Sequence, residues 1–300
     1  MKENKCIILI ILFTLLFQNI IAYAEEGDES NLWILGIGIN LYRNFTYLAN
    51  PVNDTLKIIE CLKNQEGKRY NNVYTYLLFD RDATKRNIEN SFQFFKNAKP
   101  NDIIMLYINA HGETMEDGTY CFYPYDTEIL YESINTNITS SQIKIEYFYN
   151  DSYLIDIEIL PYENTIRKID TSTVITIYDI IEAMNILCKK ILFLETCGSG
   201  GALNFNVSDM IVFAACGQNE YAVEDNELGH GSIFTDGFVR KINNYNYIET
   251  ELTVEILFDY MYNHVIRINS IIYNGYYNDK QHPEFNLPDE YKNFIIAYDE

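Results

Sequence analysis

The chain has 300 residues, of which 48% are hydrophobic and 15% aromatic, so it carries enough apolar material for a sizeable buried core. This composition excludes an intrinsically disordered chain, and the length fits one α/β domain with insertions. The formal net charge of −21 at pH 7 gives a surface that repels nucleic acid and anionic lipid, so neither is expected as a partner.

Residues 1–24 have the layout of a signal peptide. A lysine-containing start precedes an almost unbroken apolar run over residues 6–17, and an Ala-Tyr-Ala cleavage site ends at Ala24. We therefore expect cleavage after Ala24, a short linker over residues 25–31, and an exported protein, periplasmic or extracellular. An uncleaved membrane anchor is the alternative, although the apolar run is short for crossing a bilayer. No later segment is long and apolar enough to do so, and no membrane association is expected after cleavage.

Beyond the leader, short apolar runs alternate with amphipathic segments along most of the chain. In chain order the predicted elements are a strand at 33–39, a helix at 51–62, a strand at 72–79, a helix at 84–95, a strand at 102–109, a helix at 176–187, strands at 190–194 and 210–214, helices at 232–242 and 251–268, and a strand at 294–298. Continuous apolar strands that alternate with helices are typical of a mostly parallel sheet with helices on both faces. The sequence therefore predicts an α/β domain over residues 32–300 with a central sheet of about six strands.

Residues 128–172 depart from this alternation. They are rich in Asn, Ile, Tyr, Asp, Ser and Thr, and their apolar residues follow no clear period. We predict an irregular insertion here, carrying a hairpin around residues 143–160. An irregular lid is favoured over a tyrosine-rich surface for a carbohydrate or a partner.

The cysteines and histidines limit the chemistry that the chain can support. Six cysteines are present, and removal of Cys6 with the leader leaves five. An odd number in an exported protein implies at least one free thiol, and Cys216 is either a core thiol or a disulfide partner. No CxxC pair or His/Cys spacing predicts a structural zinc site. Of the four histidines, His230 is interpreted as a positional loop residue, and His264 and His282 as ordinary surface or helix-face residues.

The fourth histidine, His111, follows the third predicted strand, and Cys197 follows the fourth. Parallel sheets bring the carboxyl ends of their strands to one edge, so these side chains are expected to be neighbours there. A cysteine nucleophile needs a base beside it, and His111 would supply one. Either residue alone is weak evidence, since His-Gly is a common turn and a buried structural cysteine is common too. Backbone N–H groups of Gly112 and Cys197 suit an oxyanion hole, whereas Ser199 lacks the setting of a hydrolase elbow.

Several segments, in the same order along the chain, resemble the caspase- and metacaspase-like cysteine peptidases, whose clan also holds the legumains. They are WILGIGINLYRN with LANPVNDTLKI, DIIMLYINAHG, KILFLETCGSGGA, VFAACGQNEYAVED with GHGSIFTDGF, ELTVEILFDYM and QHPEF. The resemblance implies a three-layer αβα sandwich and a peptidase domain with a Cys/His dyad. Within it His111 matches the catalytic histidine, Cys197 the nucleophile, and Gly112 the glycine of the oxyanion hole.

The same resemblance bears on specificity. Asp54 and Glu195 match positions that line the S1 pocket of arginine- and lysine-specific metacaspases, where a carboxylate pair would favour a cationic side chain. The alternatives are that Asp54 pins the start of its helix and that Glu195 is structural. Gly198 stands where the family usually has His, and Glu195 where it usually has Asp. The pattern Glu-x-Cys-x-Ser-Gly also resembles the legumains, which cleave after asparagine.

The sequence thus predicts an exported cysteine endopeptidase that hydrolyses protein or peptide substrates through a thioester acyl-enzyme, with a preference for basic P1 residues. An asparaginyl peptidase and a catalytically inactive caspase-like binding module are the alternatives. No cofactor or metal is expected. The resemblance leaves calcium activation open as an alternative, but no segment matches the calcium-binding acids that some metacaspases use. Family members are often activated by self-cleavage, and the insertion offers Lys144, Arg167 and Lys168 as candidate sites.

Overall fold

The computed structural model describes residues 30–133, 149–150, 153–154, 165–225, 229–243, 251–272 and 281–298. The predicted signal peptide at 1–24, the linker at 25–31 apart from its last two residues, and most of the hairpin predicted at 143–160 lie outside these ranges. Within them, no helix is long and apolar enough to span a membrane.

The bounds of the elements agree with most of the predicted ones to within a few residues. The helices are α1 (Pro51–Lys63), α2 (Lys85–Ser91), α3 (Ile177–Ala183), α4 (Ile233–Asn243) and α5 (Val254–Ile272). The strands are β1 (Leu32–Gly38), β2 (Val73–Phe79), β3 (Ile103–Asn109), β4 (Gly112–Thr114), β5 (Tyr120–Phe122), β6 (Ile129–Ser133), β7 (Tyr149–Asn150), β8 (Tyr153–Leu154), β9 (Thr165–Ile169), β10 (Ile175–Thr176), β11 (Lys189–Glu195), β12 (Ile211–Ala214), β13 (Glu224–Asp225), β14 (Gly231–Ser232), β15 (Glu251–Thr253), β16 (Glu284–Asn286) and β17 (Ile295–Tyr298).

The central sheet has six strands in the order β16-β12-β11-β3-β1-β2. Neighbouring strands from β12 to β2 are parallel, and β16 pairs antiparallel with β12. The prediction of an α/β fold with a mostly parallel sheet of about six strands is confirmed. Its physical basis is burial on both faces, which explains why the inner strands are unbroken apolar runs.

Helices cover both faces of this sheet. Successive side chains of β3 point to opposite faces, so that Met105 and Tyr107 pack in one core, and Leu106 and Ile108 in the other. The first core also holds the apolar sides of α1, α4 and α5, and the second those of α2 and α3. The three layers that the resemblance implies are therefore present.

The sixth strand of the sheet is not the predicted one. Residues 294–298 were expected to supply it, but β17 pairs antiparallel with β15 outside the central sheet. The edge position belongs to β16, whose Phe285 lies opposite Phe213 of β12. A three-residue strand with one large apolar side chain carries no periodic signal, so the sequence does not reveal it. The last helix begins at Val254 rather than residue 251, because β15 occupies the three residues before it.

The insertion at 128–172 is more regular at its base than predicted. Strands β6 and β9 pair antiparallel over five residues each, so the chain leaves and re-enters the domain as a two-stranded ribbon. Within the predicted hairpin, β7 and β8 pair antiparallel. The other residues of the predicted hairpin lie outside the described ranges.

Aromatic packing holds β3 and β11, the strands that precede His111-Gly112 and Cys197-Gly198. Phe193 of β11 has its ring centroid 5.1 Å from Tyr107 of β3, 5.5 Å from Phe213 of β12 and 5.1 Å from Phe234 of α4. Such closely spaced aromatic pairs add to the stabilisation that burial provides. The carboxyl ends of β3 and β11 are therefore held by a rigid core.

Candidate active site

His111 and Cys197 follow two neighbouring parallel strands. Strand β3 ends at Asn109 and β11 at Glu195, and these two residues are partners in the register of the sheet. His111 and Cys197 each lie two residues further on, at the carboxyl edge of the sheet. A small pocket opens there, and its wall includes His111, Cys197, Glu195, Glu224 and Ser232. The structure thus brings the predicted dyad residues to one pocket.

The loop at residues 40–50 orients His111. The His111 backbone N–H donates to the Tyr42 hydroxyl at 2.8 Å, and the imidazole Nε2 lies 2.9 Å from the Thr46 carbonyl oxygen. The Tyr42 ring packs on the imidazole with centroids 4.8 Å apart. Because a carbonyl only accepts hydrogen bonds, Nε2 carries the proton of the neutral ring. Nδ1 is then left unprotonated, and can act as a base.

The electrostatics keep both dyad residues neutral at pH 7. Burial raises the pKa of the Cys197 thiol to about 11, although a hydrogen bond from the Ala222 backbone N–H opposes the shift. Burial also lowers the pKa of His111, against the effect of its bond to Thr46. The resting pair is therefore a thiol and an imidazole rather than an ion pair. Attack by sulfur would require His111 to remove the thiol proton as the new bond forms.

The turn after Cys197 requires a glycine. Gly198 has a φ of +65°, in the left-handed region, and its N–H donates to the Glu220 carbonyl at 2.9 Å. A Cβ atom at this position would lie 2.6 Å from the Thr114 backbone nitrogen. The departure at Gly198 from the family's usual histidine therefore has a local steric reason.

Gly112 lies against the segment that carries Cys197. A Cβ atom added at Gly112 would be 3.0 Å from the Cβ of Thr196, the residue before Cys197. The backbones of Gly112 and Cys197 are thus close to each other beside the pocket. Their N–H groups remain the predicted oxyanion hole.

Glu195 is a buried acid, and the structure gives a hydrogen-bond partner to one of its two carboxylate oxygens among the described residues. Its Oε2 accepts hydrogen bonds of 2.8 Å from both the N–H and the hydroxyl of Thr235. Its Oε1 is buried and has no hydrogen-bond partner among the described residues. Burial raises the pKa of Glu195 to about 8, with a further upward contribution from Asp54. A buried carboxyl oxygen left unpaired in a pocket wall is costly unless a ligand completes it.

Asp54 lies behind the pocket rather than in its wall. It is fully buried, and it accepts a hydrogen bond of 2.7 Å from the Ser232 N–H while its other oxygen pairs with Lys57 at 2.9 Å. Gly231, with a φ of +71°, leaves room for this contact, since a Cβ there would lie 2.6 Å from the Asp54 carboxylate. Asp54 therefore holds the strand that brings Ser232 into the pocket.

Glu224 is a pocket acid that the sequence did not single out. Its carboxylate accepts hydrogen bonds from the backbone N–H groups of Ala49 at 3.0 Å and Asn50 at 3.3 Å. Burial raises its pKa, although these backbone bonds oppose the shift. Glu224 thus ties the pocket wall to the loop whose Thr46 orients His111. The only sequence signal is an acidic pair after the fifth predicted strand, which does not indicate a pocket.

The other candidate nucleophiles have structural roles. Ser199 is fully buried, and its hydroxyl bonds to the Cys216 carbonyl at 3.2 Å and to the Cys216 N–H at 3.1 Å. The thiol of Cys216 is buried and free, as are those of Cys61 and Cys121. Among the described residues Cys197 is the thiol that lines the pocket together with a histidine.

Comparison with known proteins gives the family. The sequence model of peptidase C14, described as the caspase domain, matches residues 33–295. Among 179 matching chains of solved structures is protein GSU0716 from Geobacter sulfurreducens. It is 12% identical, with a TM-score of 0.54 over 90% of this chain and 100% of that chain, a likeness of fold alone. No protein with a curated description matches the chain.

Proposed function

Because the chain belongs to the caspase-domain peptidase family, we propose that it is an active, exported cysteine endopeptidase that cleaves after basic residues. The observation that carries this proposal is the pocket shared by His111, Cys197 and the buried acid Glu195. It combines a thiol, a base and an acid whose Oε1 atom has no hydrogen-bond partner in the described part of the chain. An inactive binding module would have no need of the first two.

In the proposed reaction the Cys197 sulfur attacks the scissile carbonyl carbon. His111 Nδ1 takes the thiol proton, and then delivers it to the leaving amine as the peptide bond breaks. The backbone N–H groups of Gly112 and Cys197 stabilise the oxyanion. The thioester that remains is hydrolysed by water, which regenerates the thiol. The Thr46 carbonyl holds His111 in the tautomer that these reaction steps require.

The basic P1 preference rests on three acids. Glu195 and Glu224 lie in the pocket wall, and Asp54 stands behind Ser232. Coulombic repulsion from Asp54 raises the pKa of both glutamates beyond the effect of their burial. A guanidinium or ammonium group entering the pocket would relieve that repulsion and pair with Glu195 Oε1.

A second candidate is cleavage after asparagine. With a pKa of about 8, Glu195 is mostly protonated at pH 7, and a neutral carboxyl can both donate to and accept from an amide side chain. Cleavage after asparagine would use the same dyad and the same pocket. The two differ in the substrate side chain alone.

A P1 profile decides between them. The purified chain without residues 1–24 would be incubated with a peptide library that varies P1 over all residue types. We expect Arg and Lys substrates to be cleaved at least about tenfold faster than any neutral one. A preference for Asn would support the second candidate. No cleavage of any member by a folded protein would overturn the proposal of a peptidase.

The acidic pocket also predicts a pH dependence of substrate binding. The pKa of Glu195 is raised, so the carboxylate that pairs with a cation forms as the pH rises towards about 8. We expect KM for a P1 Arg substrate to fall by roughly tenfold between about pH 6.5 and about pH 9. A substrate with citrulline at P1, a neutral isostere, is the matched control. A KM that changes equally for both substrates would contradict this assignment of Glu195.

A further inference from the structure

Two histidines and a carboxylate converge behind the pocket, away from the proposed dyad. His230 precedes β14, Asp236 lies on α4, and His264 lies on α5. The Asp236 Oδ2 atom is 2.8 Å from His230 Nδ1 and 2.9 Å from His264 Nε2. The three side chains are 12%, 13% and 2% exposed in the order Asp236, His230, His264. The expectation that His264 is an ordinary surface or helix-face residue does not describe this buried, bonded side chain.

We propose that His230 Nδ1, Asp236 Oδ2 and His264 Nε2 form a binding site for one zinc ion. The three atoms lie within 4.8 Å of one another. Zinc takes imidazole nitrogen and carboxylate oxygen at about 2.0 to 2.2 Å in a tetrahedron, which sets its ligands roughly 3.3 Å apart. The two oxygen–nitrogen separations, 2.8 and 2.9 Å, are about half an ångström shorter than that value, and the two nitrogens lie within 4.8 Å of each other. Side-chain shifts of roughly an ångström would therefore admit the ion. Water would complete the fourth position.

The surroundings of the three ligands fit a metal site. The Asp236 Oδ2 atom accepts hydrogen bonds from Arg240 as well as from the two histidines, so the carboxylate is held in place between the other two ligands. The other nitrogen of His230, Nε2, faces Asp225 Oδ2 at 4.0 Å. That separation is longer than a hydrogen bond, and a small shift of the ring on metal binding would bring Nε2 to the carboxylate, the usual arrangement of a metal-binding histidine.

Two arginines lie beside the proposed ligands, and Arg240 contacts two of the ligand atoms themselves. Arg240 Nε lies 2.6 Å from Asp236 Oδ2, and its terminal nitrogen is 3.3 Å from His230 Nδ1. A terminal nitrogen of Arg267 is 3.4 Å from His264 Nδ1. The Arg240 side chain is 45% exposed, and Arg267 is exposed as well, so both can move into solvent. In the metal-free protein Arg240 supplies the positive charge beside Asp236, and a bound zinc ion would supply that charge instead.

The site would join three elements behind the pocket. Asp225 and Gly231 are partners in the two-stranded ribbon of β13 and β14, which also carries the pocket residues Glu224 and Ser232. An ion bound by His230 would fix this ribbon to α4 and α5. The pocket wall would then be held both by Asp54 and by the metal.

Zinc binding would be measured on the Cys197→Ala protein, since the Cys197 thiol itself could bind the ion. Titration calorimetry and metal analysis after dialysis are expected to give one zinc per chain. The His230→Ala change should weaken binding at least about tenfold. His282→Ala is the matched control, because His282 Nδ1 also pairs with a carboxylate, that of Glu220, at 2.7 Å. The His282→Ala protein should bind zinc with unchanged affinity. Arg240→Ala should tighten binding several-fold, since it removes the competing cation.

Thermal unfolding gives an independent readout. Zinc at about a hundred times its Kd should raise the Tm of the Cys197→Ala protein by roughly 5 °C, and that of the further His230→Ala variant by much less. Circular dichroism without metal checks that each variant is folded. No bound zinc, or zinc binding that His230→Ala and Arg240→Ala leave unchanged, would overturn the site. Because Cys197 is absent throughout, the result is independent of the proposed peptidase activity.

Discussion

Replacement of Cys197 by alanine is expected to lower kcat/KM for a P1 Arg peptide by at least about 10⁴-fold. The change removes the only protein atom that bonds to the substrate's carbonyl carbon in the proposed mechanism. It removes little packing, since Cys197 is half-buried and borders an open pocket. The folded structure should therefore survive, and circular dichroism with thermal unfolding would confirm it.

The matched control is Cys188→Ala. Cys188 is also a half-buried free thiol, but it is not part of the pocket wall. Its replacement should leave kcat/KM within a factor of about three. Equal losses in both variants, or a Cys197→Ala protein that stays active, would show that the nucleophile is elsewhere.

Replacement of Glu195 by glutamine is expected to lower kcat/KM for P1 Arg and Lys substrates by about 100-fold. Glutamine keeps an oxygen that can accept from Thr235, so the wall of the pocket stays in place. It cannot ionise, so the buried partner of a cationic P1 side chain is lost. Cleavage after a neutral P1 residue should change by less than about threefold, and the fall of KM with pH should disappear.

Glu182→Gln serves as the control for this change. Glu182 is an exposed acid on α3, on the other face of the sheet, and its replacement removes the same charge from the same protein. It should leave all substrates unaffected, because exposed charges are screened. If Glu195→Gln lowered cleavage of basic and neutral substrates equally, Glu195 would act through Thr235 as a structural residue.

The sequence predicts the dyad residues as neighbours because one geometric rule governs them. Apolar runs mark β3 and β11 as buried parallel strands, and parallel strands end at one edge. The reactive residues follow those strands directly, at the same distance beyond partners in the register, Asn109 and Glu195. The placement of the two residues just after apolar strands depends only on the local pattern of apolar residues, and that pattern can be read from a single sequence.

The roles of Asp54 and Glu224 follow from contacts between distant segments. Asp54 lies behind the pocket wall, where its carboxylate binds the N–H of Ser232, 178 residues along the chain. Glu224 meets the amide of Ala49, 175 residues away. Neither contact leaves a periodic signal in the sequence, because both depend on how the loops pack against the folded sheet. For the same reason no spacing rule indicates that His230, Asp236 and His264 converge.

The central claim is that Cys197 is a nucleophile activated by His111. The most direct measurement is intact-mass analysis with peptide mapping of the native protein after reaction with a peptidyl electrophile that carries Arg at P1. We expect one probe per chain, attached to Cys197, with labelling slowed by at least about tenfold in the His111→Ala protein. Labelling of another cysteine, labelling that requires denaturation, or an equal rate without His111 would contradict it.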